Sequence, residues 1–297
     1  MYKIFINYIK KNYKKLFPIF EESGIHITHN HFYSPIPDTR FVKKCYFNMD
    51  YIDIDINTQL QCLIELFEKY HIELKEINDK FIGNNRFDGL DAYIAYLTIR
   101  ETCPIKIIEI GSGFSTLIQS KALEKNNKGE IICIEPYPDM ELSSITCVKD
   151  VLKEKLENIN IEFFKQLKYG DILFIDSSHI VKTGSDVLKI FSEILPILNS
   201  GVIVHFHDIF LPLDYPVKWI KEEYRFWNEQ YMLYTFLLFN NSFKTIFANS
   251  YLGYKFPEEI KKLLPDNFVK NIEKVFKEFF PEINWFGGGS FWIKKIN

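Results

Sequence analysis

The sequence predicts an α/β protein built on a doubly wound, mostly parallel sheet, and three observations carry that expectation. From Lys106 onward short apolar runs alternate with helical stretches, the signature of strands joined by crossovers. The runs "KIIEI", "EIICIE", "DILFID" and "GVIVHF" are rich in β-branched residues, as strands covered on both faces require. The chain then closes on "FKTIFAN" and "SFWIKKI", a hairpin-like pair that supplies one antiparallel strand.

The remaining elements follow in order. Residues 1–85 read as an N-terminal extension with a substrate-covering loop, and residues 86–297 as the sheet domain, with a helical insertion after its fifth strand. In "MYKIFINYIKKNYKKLF", Lys3, Lys10 and Lys11 interrupt the apolar residues, so no signal peptide is expected. Tyr2, Phe5, Ile9, Leu16 and Phe17 fall roughly on one side of a lysine-rich helix; docking on its own domain is the preferred reading, a membrane surface the alternative. Pro35 and Pro37 hold "SGIHITHNHFYSPIPDTR" extended as an ordered loop. Thr58 to Ile77 shows helical spacing in Leu60, Leu63, Ile64, Phe67, His71 and Leu74. A turn at "GNNRF" precedes a second helix, which Asp88 can cap, with Asp91 completing a capping box. Further helices are expected over Ser115 to Lys125, Lys182 to Leu198 and about Pro265 to Phe280, with a weaker strand near "SITCV" and a mostly helical aromatic segment after Phe210.

Bulk properties exclude several function classes. A chain of 297 residues suits one large α/β domain with additions, or two small domains. A formal charge of -3 lacks the basic excess that neutralises phosphates, so nucleic acid is not an expected partner. The five cysteines, Cys45, Cys62, Cys103, Cys133 and Cys147, form no C-x-x-C pair, which fits a reducing cytoplasm and no zinc knuckle. The longest apolar run, "YMLYTFLLF", is too short for a transmembrane segment. Nothing in the pattern specifies an oligomeric state, and a homo-oligomer stays open.

The chemistry concentrates at strand ends. In "IIEIGSGFST" a strand ends at Ile110, Gly111 and Gly113 allow a tight turn beside a ligand, and a helix starts at Ser115 with free N–H groups outward. Thr116 stands where a dinucleotide fingerprint has its third glycine. Glu135 lies 22 positions after Gly113 at the next strand end, where a carboxylate can accept from a ribose diol.

This combination resembles the class I S-adenosylmethionine (SAM)-dependent methyltransferases, which have a Rossmann-like fold. The resemblance extends through "GDILFIDSSH" and "GVIVHFHDIF", similar to the group that includes bacterial sugar and antibiotic O-methyltransferases, and covers roughly Phe87 to Asn297. It implies SAM as cofactor, held by Glu109, Gly111, Ser112, Gly113, Ser115, Thr116, Glu135 and Asp176. Asp176, His179, His207 and Asp208 should then surround the transferred methyl, an imidazole removing the acceptor's proton. His205, one strand repeat before His207, is expected to pack in the core. Catechol-type relatives would place a divalent metal on Asp176, His207 and Asp208, but an imidazole among hard oxygen ligands makes that the less favoured reading. For a sugar-like small-molecule acceptor, destined for a surface glycan in the reading the resemblance suggests, the candidate walls are His31 and Tyr33 in the early loop, and Trp227 and Tyr231 in "RFWNEQY" beside Asn228 and Glu229. The alternatives are an NAD-dependent oxidoreductase, which would leave Glu109 without purpose near a pyrophosphate, and a non-catalytic cofactor-binding protein.

Overall fold

In a computed structural model, residues 2–77, 84 and 86–297 are described. The seven strands are β1 (Lys106–Ile110), β2 (Glu130–Ile134), β3 (Val148–Leu152), β4 (Ile172–Ile175), β5 (Ile203–Phe206), β6 (Phe243–Ala248) and β7 (Phe291–Lys295). They form one sheet in the order β3-β2-β1-β4-β5-β7-β6. β1 to β5 pair in parallel, and β7 runs antiparallel to both β5 and β6. The single antiparallel strand expected from the closing pair is therefore present.

Strand periodicity sorts the core into two layers. Ile107, Ile131, Cys133, Ile172 and Phe174 face one apolar cluster, built with helix Gly89–Thr102 and helix Phe114–Asn126. Ile108, Ile110, Leu173, Ile175 and Phe206 face the other, built with Val187 and Ile190 and with helix Glu229–Leu238. Glu109 and His205 lie on the first face, where neither meets water.

By its contacts the chain divides into two compact units, residues 1–44 with 218–226, and residues 45–217 with 227–297. The helices expected as one over Thr58 to Ile77 are two, Ile56–Lys69 and His71–Ile77, parted at Tyr70. Both belong to the second unit, because Leu63, Leu66, Phe67 and Leu74 enter the same cluster as Tyr93 and Tyr96. The strand expected near "SITCV" starts only at Val148, since Cys147 takes a left-handed φ of 68° that ends any extended run before it. The turn "GNNRF" falls partly outside the described residues; within them, Asn84 Oδ1 accepts from the backbone N–H of Arg86 and Phe87, each at 2.8 Å. In the first unit, the lysine-rich segment forms two helices, Tyr2–Lys11 and Tyr13–Glu22. Among the described residues no helix is long and apolar enough to cross a membrane.

Candidate active site

The parallel ladder continues one residue past each strand and then opens. Gly111 N–H donates to Ile134 O at 3.0 Å, Asp176 N–H to Ile110 O at 2.8 Å, and His207 N–H to Ile175 O at 3.0 Å. Gly111, Asp176 and His207 are thus brought side by side at the carboxyl edge of the sheet, where open α/β folds bind ligands. Gly111 has φ 74°, and a Cβ there would fall on the carbonyl oxygen of Asp176, so glycine is required. A Cβ at Gly113 would meet nothing, because it opens onto the crevice. That crevice holds about 340 Å³ lined by Phe87, Gly111, Gly113, Glu135 and Asp176, and it continues past Glu135 and Asp176 into a second space of about 310 Å³ beside Leu156 and Ser178.

Glu109 lies beneath the turn rather than on the crevice wall. Ser115 Oγ and Thr116 Oγ1 donate to its two oxygens at 2.6 and 2.5 Å, and Gln119 Nε2 donates as well. Thr116 Oγ1 in turn accepts from Gly113 N–H at 3.0 Å, so the carboxylate fixes the glycine turn through the helix start. Burial pushes the Glu109 carboxyl up to about 7, against the lowering effect of Ser115 and Thr116. Glu109 and Thr116, expected to hold the cofactor, are both fully enclosed beneath the turn, where they fix the start of the helix. Glu135 stays half-buried at the rim, accepting from Ser112 N–H at 3.2 Å and Tyr137 N–H at 2.7 Å.

Beside the turn sits a cluster of carboxylates and imidazoles. His179 Nδ1 lies 2.8 Å from Glu229 Oε2, while its Nε2 faces Asp176 Oδ1 and Asp208 Oδ2, both at 3.4 Å. His207 Nδ1 is 3.4 Å from Asp176 Oδ1 and 3.7 Å from Asp208 Oδ2, and its Nε2 is 4.0 Å from Asp91 Oδ2. His179 and Asp208 both adopt left-handed backbone, at φ 60° and 55°, and the N–H groups of Asn228 and Glu229 pin the His179 carbonyl at 3.0 and 3.2 Å. Burial opposes charge on both imidazoles, but the carboxylates outweigh it. His179 is held well above the ordinary histidine range by Asp176, Glu229 and Asp208, and His207 is raised to about 10 by Asp208, Asp176 and Asp91. Partial desolvation at the crevice wall works to raise the Asp176 carboxyl, but His207 and His179 outweigh it and hold it low. Four carboxylates against two imidazoles leave the group anionic even when both rings are protonated. Such a site attracts a cation.

Asp176, His179 and Asp208 also offer ligand atoms within 4.8 Å of one another. This is not the set that the resemblance to catechol-type enzymes implied, since His179 stands in place of His207. The reason is the left-handed turn at His179, which swings its ring back over Asp176 from three residues away.

The other expected residues separate clearly. His205 is fully enclosed, its Nε2 at 2.8 Å from Ser290 Oγ and its ring stacked on Phe174 at 3.7 Å, which is the packing role expected of it. Trp227 joins the site, its ring 4.3 Å from that of His179. The Tyr231 hydroxyl donates to Asp214 Oδ1 at 2.6 Å. His31 and Tyr33 belong to the first unit, where their rings lie 5.5 Å apart and Tyr33 is exposed.

Two residues of the site escape the sequence reading. Glu229, noted there only as a polar neighbour of the aromatics, is fully buried and anchors both His179 and Ser177 Oγ, the latter at 2.9 Å. Asp91, expected in a capping box, instead accepts from Asn249 Nδ2 and from the N–H groups of Gly289 and Ser290, at 2.7 to 2.9 Å. The signal for it is the run "GGGS": a Cβ at Gly288 would fall on the Asp91 carboxylate, so the loop must be glycine to close over it.

Residues 108–209, from β1 to just past β5, match a family model described as a methyltransferase domain. An uncharacterized protein of Archaeoglobus fulgidus is 32% identical over 161 residues, covering 46% of this chain and 72% of the archaeal one. Among solved structures, the O-methyltransferase TomG of Streptomyces achromogenes, crystallised with SAM, is similar at 12% identity and a TM-score of 0.41, covering 78% of this chain and 90% of its own. An O-methyltransferase of Bacillus cereus in complex with SAH is similar at 12% identity and a TM-score of 0.40, covering 81% and 91%.

Proposed function

The chain belongs to the class I SAM-dependent methyltransferases, and from that premise we propose that it methylates the hydroxyl of a small acceptor, a sugar or surface-glycan precursor. One observation carries the reading: a glycine turn with a carboxylate at its rim opens directly onto a partly buried anionic cluster. Bound SAM supplies an electrophilic methyl on a positively charged sulfur. The residues present suit that group, since Gly113 leaves space at the helix start, Glu135 presents a carboxylate, and the cluster favours positive charge.

The chain's own part is to place the acceptor and take its proton. His179 is the residue for the second task, because Nδ1 is committed to Glu229 and only Nε2 faces the crevice carboxylates. With both rings held as cations in this arrangement, the base becomes competent only when further positive charge enters and lowers its pKa. Trp227 offers a flat apolar wall for a sugar ring. Calorimetry with S-adenosylhomocysteine, followed by methyl-transfer assays over a panel of sugars, tests the proposal. Tight NAD binding, or no binding of the thioether, would sink it.

A second reading is favoured by the 3.4 Å spacing of His179 Nε2 from both Asp176 Oδ1 and Asp208 Oδ2. Atoms bonded at about 2.1 Å to one divalent ion sit at about such a separation. The hydrogen bond of Nδ1 to a carboxylate is also the usual support of a metal-bound histidine. A manganese or iron ion would accept this mixed set. Paramagnetic resonance of added Mn²⁺ checks the manganese case: a bound signal lost in His179→Ala supports it, and a free-ion signal in the wild type excludes it.

A further inference from the structure

The first 44 residues carry eight basic side chains against three acidic, although the whole chain has a formal charge of -3. Five of those lysines, Lys3, Lys10, Lys11, Lys14 and Lys15, are exposed on or just after helix Tyr2–Lys11. At about 100° per residue, Ile4, Tyr8, Phe5, Ile9, Tyr2 and Ile6 cover a continuous apolar arc of about 200°, leaving Lys10, Lys3, Asn7 and Lys11 on the remainder. Within that arc Ile9 is buried and Ile6 half-buried, whereas the three neighbours Ile4, Tyr8 and Phe5 are 76%, 60% and 59% exposed, and Tyr2, between Ile9 and Ile6, is 77% exposed. Scattered exposed apolar residues are ordinary, but three adjacent ones with a fourth on the same arc of a helix flanked by lysines are not.

We propose that this helix lies in the surface of a lipid bilayer bearing anionic headgroups, with Tyr2, Ile4, Phe5 and Tyr8 in the interface and the lysines on the headgroups. Charge selects this occupant. A second copy of the helix would bring like-charged lysine faces together, whereas an anionic surface neutralises them while the apolar arc leaves water. The tyrosines suit the boundary between hydrocarbon and water, where an apolar ring and a polar hydroxyl are both satisfied. The proposal is independent of the reaction assigned to the second unit.

The test is flotation of the full chain with vesicles of phosphatidylcholine alone and with one quarter phosphatidylglycerol. We expect binding to the anionic vesicles at least tenfold tighter than to the neutral ones, falling as salt is raised. Phe5→Asp and the pair Lys10→Glu, Lys11→Glu should each weaken it at least tenfold while leaving the melting temperature unchanged, because all three side chains are exposed. Equal partition to both vesicles, or none, overturns the proposal. So does a chain that sediments as a dimer, is dissociated by Phe5→Asp, and ignores vesicles; that result would assign the arc to a second copy.

Discussion

His179 Nδ1 and Glu229 Oε2 lie 2.8 Å apart although 50 residues separate them, and both side chains are buried. The contact joins the turn after β4 to the insertion after β5, and it leaves the other ring nitrogen directed at Asp176 and Asp208. Glu229 touches no part of the crevice itself. Its role is to set the tautomer and angle of a ring that does.

Glu229→Gln keeps the shape and removes the charge. We expect kcat for methyl transfer to fall about 10–100-fold, with the affinity for S-adenosylhomocysteine unchanged. A positioning role also shifts the pH–rate profile, since the raised pKa of His179 rests partly on this carboxylate; the profile of the variant should move to lower pH. If kcat falls with an unmoved profile, Glu229 is only structural.

Stability should depend on pH in two separate windows. The Glu109 carboxyl is raised to about 7 in the fold by burial, so its contribution is fully present below its unfolded value of about 4.5 and is lost as pH rises to 7. His207 is raised to about 10, so its contribution is present below about 6.5 and is lost between there and pH 10. Melting of the ligand-free protein should therefore drop through both ranges. Glu109→Gln should flatten the first and His207→Gln should shrink the second, which the raised His179 shares; a melting temperature that climbs from pH 6.5 to 10 contradicts the assignment.

How much of the fold and the site is legible in the sequence depends on the range of the forces involved. The strand ends and the glycine turn are readable because strand burial, a helix start and a left-handed glycine are written within ten consecutive residues. His205 and His207 are separable because the strand repeat alone places one inside and one at the edge. Asp91 misleads because a carboxylate three residues into a helix satisfies a capping pattern locally, while its real partners are almost 200 residues away. The same holds for Glu229, and for His179 standing in for His207 beside Asp176 and Asp208: a left-handed turn at a histidine has no pattern in sequence. The break at Tyr70 is hidden because the apolar spacing on its two sides stays nearly in phase.

The two glycines of the turn should respond differently. Gly111→Ala adds a methyl onto the Asp176 carbonyl and strains a φ of 74°, so it should cost roughly 1–3 kcal/mol or more of stability. Gly113→Ala adds a methyl where nothing lies, so the melting temperature should hold while cofactor affinity falls as the side chain enters the crevice. Denaturant titration and calorimetry of both variants check this. Equal affinity for the cofactor in Gly113→Ala and wild type would place the ligand elsewhere.

The two histidines of β5's end test the division between core and site most directly. His205→Ala removes a ring packed between Phe174 and Trp292 and frees the Ser290 hydroxyl, and should cost about 2–4 kcal/mol while the folded fraction keeps its turnover. His207→Ala removes the cation that faces Asp91, Asp176 and Asp208 together, so it strips charge compensation from the whole cluster. Turnover should then fall at least tenfold at neutral pH, because the carboxylates left behind raise the pKa of His179 further and keep its Nε2 protonated. Raising the pH should restore part of that loss, as His179 is freed to accept a proton. Recovery with rising pH in His207→Ala, absent from His179→Ala, would assign the base to His179; a loss in His207→Ala that no pH relieves would assign it to His207 instead.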